Sequence, residues 1–389
     1  MSLAPQAAHT APSGGAGKHP LTVVLSLDVE EEGLFGGSYA CHSPGVRNTA
    51  ALTRLAPFLE RGVRPTLFCA HSVFTDVPSC RVLERLRDDH GAEIGAHLHH
   101  WNTPPLTPEA TRAPGGRLTR VPAAAVPADL MGAKLATLFA AGAAFQGAPL
   151  TSFRMGRWDL HAPLWPLLAA QGVRCDASVR PLHSGKTPAT GAPDHFDAPT
   201  EPYWVEAGAE RLLEMPLTVT PLFSWLPGLG RALPQGAGAA FRAGLRHWGA
   251  LALLPVEHPL ALLKLTTLLH AARGGRVLSL TWHSSEIFPG GAPHMPDEAS
   301  VQRFLDKMLA YVDWLCEGFD VRFLTLRELR AAAEAGEFQA ANPAAGRKLA
   351  GDWAAPVKTA PPLAGNIAEK PDAALLARPW KRAAAQGRP

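Results

Sequence analysis

The sequence predicts an α/β fold built as a barrel of about seven strands. Three observations carry that reading. Short apolar, β-rich runs alternate with helix-periodic segments from residue 22 to about residue 335, a pattern that builds a mostly parallel sheet with covered faces. About seven such runs fit a barrel better than an open sheet split in two. Ionisable residues fall at the C-terminal ends of the runs, where α/β barrels place their chemistry.

The elements follow in order. Residues 22–27 (TVVLSL) form a strand that ends in Asp28. Asn48–Arg61 places Leu52, Leu55 and Leu59 at helical spacing, with Gly62 as a stop. Arg64–Ala70 is a second strand, Ser79–Asp89 a helix, and Ala92–Ala96 a third strand running into a histidine cluster. Ala123–Ala143 reads as a helix, Thr151–Arg154 as a strand, Ala162–Ala170 as a helix and Arg174–Ser178 as a short strand. Residues 181–210, rich in Pro and Gly, read as a long loop, and Leu212–Val219 as a strand. Residues 221–258 have weak periodicity and read as an insertion. Pro259–Ala272 is helical and Arg276–Trp282 is a strand. Asp297–Glu317 is the clearest helix: Val301, Phe304, Leu305, Met308, Leu309, Val312 and Leu315 share one face, Asp297 can cap it and Gly318 can end it. Val321–Leu324 is a last strand, with a helix after it.

Composition narrows the function. The chain has 389 residues, 47% apolar and 18% charged, which excludes a disordered, highly charged chain. The net charge is +3, which leaves no electrostatic footprint for nucleic acid. The first 20 residues lack the pattern of a secretory signal and read as a flexible leader. The domain is expected over residues 21–338, and residues 339–389 read as an Ala-, Pro- and Lys/Arg-rich tail without order. From Asn342 onward there are eight basic residues against three acidic ones, so the body carries about −2. The tail could contact an anionic membrane surface peripherally. No transmembrane segment is expected. Cys41, Cys69, Cys80, Cys175 and Cys316 show no CxxC spacing and read as reduced thiols of a cytoplasmic protein.

The polar strand ends define the candidate site. Asp28 and Glu30 are two apart and point to one side of an extended chain, which suits a base beside a metal ligand. In EIGAHLHHWNTPP (93–105), His97 and His99 share one side while His100 points away. Imidazole is the commonest ligand for Zn²⁺ and similar ions. SFRMGRW (152–158) brings Arg154, RCDAS (174–178) brings Asp176, and LSLTWHSSE (278–286) brings His283. Trp101, Trp158 and Trp282 lie near these ends, where they could stack on sugar rings or pack in the core.

Taken in order, these segments resemble the five motifs of the polysaccharide deacetylases, the NodB-homology or family 4-like carbohydrate esterases. The strand ending in Asp28 resembles the first motif and EIGAH (93–97) the second. FRMGRW (153–158) resembles the third, the Asp176 segment the fourth, and Leu280–His283 the fifth. RPTLF (64–68) resembles the intervening strand. The resemblance spans about residues 20–330 and implies a deformed (β/α)7 barrel of the NodB-homology type. Two departures stand out: Val29 separates the two acids of the first motif, and Trp101 stands where the family's second histidine is expected. HLHHWNTPP is similar to a divergent branch associated with lipopolysaccharide and surface-glycan biosynthesis.

The resemblance implies metal-dependent hydrolysis of an N-acetyl amide on a carbohydrate. A divalent ion, Zn²⁺ foremost, would be held by Glu30, His97 and His99. Asp28 would be the base, steadied by Arg154, and His283 the acid, oriented by Asp176. Asp28 and Glu30 could exchange roles. The alternatives are a hydrolase of another amide or ester on the same barrel, and a glycan-binding or assembly protein without catalysis, which the Trp101 departure favours.

Overall fold

The structure is a computed structural model, and it describes residues 18–36, 45–106, 121–184, 191–343 and 351–355. The expected leader up to residue 17, Cys41 and the tail from residue 356 lie outside the described residues.

The first strand, β1 (Pro20–Val29), is buried along nearly its whole length. It ends in a 3-10 turn at Leu34–Gly36. The expected helix at 48–61 forms as a 3-10 helix (Arg47–Leu55) that widens into α1 (Ala56–Leu59). Next come β2 (Thr66–Cys69), α2 (His71–Phe74), α3 (Val77–His90) and β3 (Glu93–Leu98). They are followed by α4 (Ala128–Gln146), β4 (Ser152–Met155), α5 (Leu164–Ala170) and β5 (Cys175–Asp176). The chain then forms a hairpin of β6 (Tyr203–Ala207) and β7 (Glu210–Glu214). The insertion holds β8 (Val219–Pro221), α6 (Leu226–Ala232), α7 (Gln235–Trp248) and β9 (Ala250–Ala252). The body closes with α8 (Leu260–Ala272), β10 (Val277–His283), α9 (Glu298–Gly318), β11 (Asp320–Phe323) and α10 (Leu326–Glu334).

Nine strands make one curled sheet in the order β10-β1-β2-β3-β4-β5-β7-β6, with β11 also on β1. All its pairs are parallel except β6 with β7. The sheet is a half-barrel. The gap between β7 and β10 is crossed by Thr218, whose N–H donates to the Ser279 carbonyl while its hydroxyl accepts from the Ser279 N–H at 2.8 Å. Parallel strands covered on both faces need continuous apolar runs, and β2, β3 and β4 are buried at every position.

The clearest predicted helix forms as expected. Asp297 accepts from the Ser300 N–H at 2.8 Å, and Val301, Met308, Val312 and Leu315 are fully buried. Each such aliphatic burial stabilises the fold by about 1.5–3 kcal/mol.

Three expectations need correction. The loop expected at 181–210 contains β6, an antiparallel hairpin strand that its Pro- and Gly-rich flanks concealed. The weakly periodic insertion is organised as two helices and a strand. The described part of the tail is packed: Trp353 is buried, its carbonyl accepts from the Tyr203 hydroxyl at 2.8 Å, and Asp352 accepts from the N–H groups of Ala162 and Asp194. The compact body thus runs to Ala355.

Among the described residues, α4 is long and apolar enough by composition to cross a membrane. Its Met131, Leu135, Leu138 and Phe139 are buried in the core. Its buried Lys134 ammonium donates to the Thr103 and Pro105 carbonyls at 2.6 Å.

Candidate active site

Parallel pairing fixes where the polar side chains meet. Asp28 is in register with His283 of β10, and His97 of β3 with Arg154 of β4. These pairs lie at the C-terminal ends of neighbouring strands, so one end of the sheet collects them all.

Glu30, His97 and His99 form the centre. Each offers one ligand atom, and those atoms lie within 4.8 Å of one another. Oε2 of Glu30 is 3.3 Å from Nε2 of His97 and 3.1 Å from Nε2 of His99. Each imidazole is fixed through its other nitrogen: Nδ1 of His97 contacts the Arg154 carbonyl at 3.0 Å, and Nδ1 of His99 contacts Oε2 of Glu31 at 2.8 Å. Glu31 in turn accepts from the Ser72 hydroxyl. A carboxylate or carbonyl on the far nitrogen is how proteins orient metal-binding histidines. All three residues are buried, and Nε2 of His97 has no hydrogen-bond partner. Two imidazole nitrogens and a carboxylate oxygen, one of them buried and unsatisfied, fit a divalent cation.

The electrostatics agree. Burial alone would raise the Glu30 carboxyl, but the imidazoles of His283, His97 and His99 hold it far below its ordinary value. Burial works against charge on His99, yet Glu31 and Glu30 raise it to about 9. The site therefore attracts positive charge, and a metal must displace a proton to enter. His100, on the opposite side, touches the Val121 carbonyl and is pushed down to about 4 by burial.

Asp28 stands beside this group. Its Oδ1 accepts from Nη1 of Arg154 at 2.8 Å, and its Oδ2 is 3.9 Å from Nε2 of both His97 and His283. Arg154 is fully engaged: it also donates to Thr281, Ser26 and the Ala177 carbonyl, and its guanidinium lies 4.3 Å from the Phe68 ring centre.

His283 is partly exposed and closes the other side. The structure corrects its expected partner. Nδ1 of His283 contacts Glu286 at 2.9 Å, and the other oxygen of Glu286 contacts His294. Asp176 instead accepts from the Ser178 N–H and hydroxyl and lies beside Glu214. Burial opposes charge on His283, but Glu286, Glu30 and Asp28 raise it to about 10. Sequence reasoning missed Glu31 and Glu286. Glu286 had a signal, because a Glu three residues past a strand-end residue can return to cap it. The Glu286 carboxylate does accept the His283 N–H at 2.8 Å.

The three tryptophans divide. Trp282 is 1% exposed and packs between Phe58 and Phe304, so it is a core residue and not a sugar platform. Trp101 is buried and stacks on the His99 ring at 4.3 Å, so it backs one of the three candidate ligands. Trp158 is partly exposed, 5.2 Å from the Arg154 guanidinium. It and Arg157 both have positive φ, 57° and 61°, a strained pair held at about 1–3 kcal/mol each. Gly156 before them is required: a Cβ there would lie 2.4 Å from the His99 ring.

No protein-family model and no curated protein matches the chain. Solved structures do. A candidate glycoside hydrolase/deacetylase from Parabacteroides distasonis aligns over 84% of this chain and 74% of its own, with 10% identity and a TM-score of 0.53. Candidate polysaccharide deacetylases from Mycobacterium smegmatis (17% identity, 90% and 99% covered, TM-score 0.49) and Pseudomonas aeruginosa PAO1 (15%, 82% and 93%, 0.48) are also similar. The fold is the deformed, NodB-type (β/α) barrel.

Proposed function

We propose that the protein hydrolyses an N-acetyl amide, a non-peptide C–N bond, on a carbohydrate of surface polysaccharide or lipopolysaccharide metabolism, with a divalent metal as cofactor. One observation carries the reading: Glu30, His97 and His99 converge on one point with the Arg154-clamped carboxylate of Asp28 beside them. Glu30, His97 and His99 would hold the ion, Zn²⁺ by the imidazole-rich donor set. When bound, such an ion supplies Lewis acidity, polarising an acyl oxygen and acidifying water near neutral pH.

The chain's own groups do the rest. Arg154 fixes Oδ1 of Asp28, leaving Oδ2 turned toward His97 and His283 to accept a proton from the attacking water. His283, protonated at neutral pH through Glu286, gives its Nε2 proton to the departing amine nitrogen. Positioned acid–base help of this kind is worth about 10²–10⁴-fold. Trp158 is the aromatic surface left for a sugar ring. The Trp101 departure does not remove a ligand, because His99 takes the second imidazole position and Trp101 backs it.

The test is release of acetate and free amine from N-acetylated glycans. Wild type should release both, and Asp28→Asn should be about 10²–10⁴-fold slower. Equal rates would remove Asp28 from its role. Glycan binding without release in the metal-loaded protein would favour the non-catalytic reading.

A further inference from the structure

Exposed large apolar side chains are not spread over the surface. Among the described residues eight are exposed, and six of them, Phe223, Trp225, Leu229, Trp248, Leu265 and Leu268, lie between residues 223 and 268. This region is also depleted of acid. From Met215 to Ser285 the chain has six Lys/Arg and one acidic residue, Glu257, although the whole chain has 34 acids in 389 residues.

The fold gathers part of this set at one end of the helical insertion. The Leu222 N–H donates to the Gly249 carbonyl at 2.8 Å, which brings the segment bearing Phe223 and Trp225 next to Trp248 at the end of α7. Phe223 and Trp225 stack at 5.9 Å, and both are more than half exposed. Arg273, just after α8, donates to the Pro221 and Leu222 carbonyls at the same place. Arg246 and His247 precede Trp248, and Nε of Arg246 is spent on His247. Neither Arg246 nor Arg273 pairs with a carboxylate among the described residues. The nearby Arg180 guanidinium, mostly buried, has Glu257 at 4.0 Å as its one carboxylate among the described residues.

We infer that this end of the insertion is a docking surface for an anionic lipid bilayer. Tryptophan and phenylalanine beside cations, with acids scarce, suit the headgroup boundary of such a membrane. Charge decides against a second copy as the occupant. A two-fold contact would press Arg246 and Arg273 against their own equivalents, and Glu257 is the one acid the segment could set against them. The surface adjoins the active site: Trp158, beside Arg154, packs against the small core formed by Leu226, Leu245 and Leu182. Docking there would present membrane-borne glycans to the site. The inference does not rest on the hydrolytic reading, because its test reads binding alone.

The experiment is co-sedimentation of the full chain with vesicles. One set is pure phosphatidylcholine, and the other is one part phosphatidylglycerol to two of phosphatidylcholine. Wild type should bind the anionic set, release with salt and bind the neutral set weakly. Trp225→Ser with Trp248→Ser should weaken partition about tenfold or more, with unfolding temperature unchanged because both positions are exposed. Arg246→Gln, a second and independent variant, should weaken only the salt-sensitive part. Three results would overturn the inference. One is failure of wild type to bind anionic vesicles. Another is binding of both variants as tight as wild type, which would assign binding to the basic segment after Asn342. The third is dimerisation of wild type through the tryptophans without lipid binding.

Discussion

Two buried acidic clusters sit at the same end of the sheet, and they behave in opposite ways. At β1 and β3, Glu30 and Glu31 face the imidazoles of His97 and His99 and are held below their ordinary carboxyl values despite burial. At β5 and β7, Asp176 and Glu214 face each other. Burial raises both, most strongly Glu214, which Asp176 raises further. Oε2 of Glu214 has no donor, so the two carboxyls can bond only if one keeps a proton. The first cluster is charged and aimed at an unsatisfied nitrogen, and the second is self-contained. Burial of an acid therefore does not mark chemistry here. What marks it is the opposite charge brought to the acid and the ligand atoms left over.

Arg154 borders the first cluster through His97 and Asp28, and its charge also acts on Asp176 and Glu214, so removing it should have the largest effect. Arg154→Met leaves Asp28 buried without its cation and takes positive charge from Asp176 and Glu214. Breaking one partner of such a pair costs about 3–5 kcal/mol, which chemical denaturation would measure. A loss below about 1 kcal/mol would mean that the pair is not buried as described.

Glu31→Gln sharpens the comparison next. Its amide can still accept from or donate to His99, but it no longer supplies charge, so metal affinity should fall about 10–100-fold. Titration with a competing chelator would show this, and unchanged affinity would make Glu31 a packing residue. Glu286→Gln removes the charge that helps raise His283 to about 10. A protonated acid is lost as pH rises through its pKa, so the descending limb of the rate profile should move to lower pH. A limb that stays in place would separate Glu286 from catalysis.

The smallest effect is expected at the second cluster. Glu214 has a raised folded-state value, so between the unfolded carboxyl value of about 4 and that raised value the unfolded chain binds fewer protons than the folded one. Stability therefore falls with rising pH over that window. Glu214→Gln should flatten the fall and leave metal binding intact, which thermal unfolding across pH would show.

The sequence made the barrel legible because parallel strands buried on both faces leave unbroken apolar runs, as in TVVLSL (22–27). Alternation likewise placed Asp28 beside Glu30 and His97 beside His99, and the structure joins all four. The partners of these residues were harder to read. Glu31 follows the end of β1, where alternation stops, and Glu286 belongs to a turn. Asp176 read as the carboxylate that orients His283 because sequence shows that a carboxyl ends a strand but not which neighbour it meets. The insertion hid its helices because Gly and Ala in QGAGAAFRAGLRHW (235–248) blur the apolar period.

The central claim is that the first cluster, and not the second, is a metal centre. Metal content of the protein purified with zinc supplied tests it most directly. The account predicts one ion per chain in wild type and in Glu214→Gln, and none in His99→Ala. A metal-free wild type, or an ion retained in His99→Ala, would contradict it.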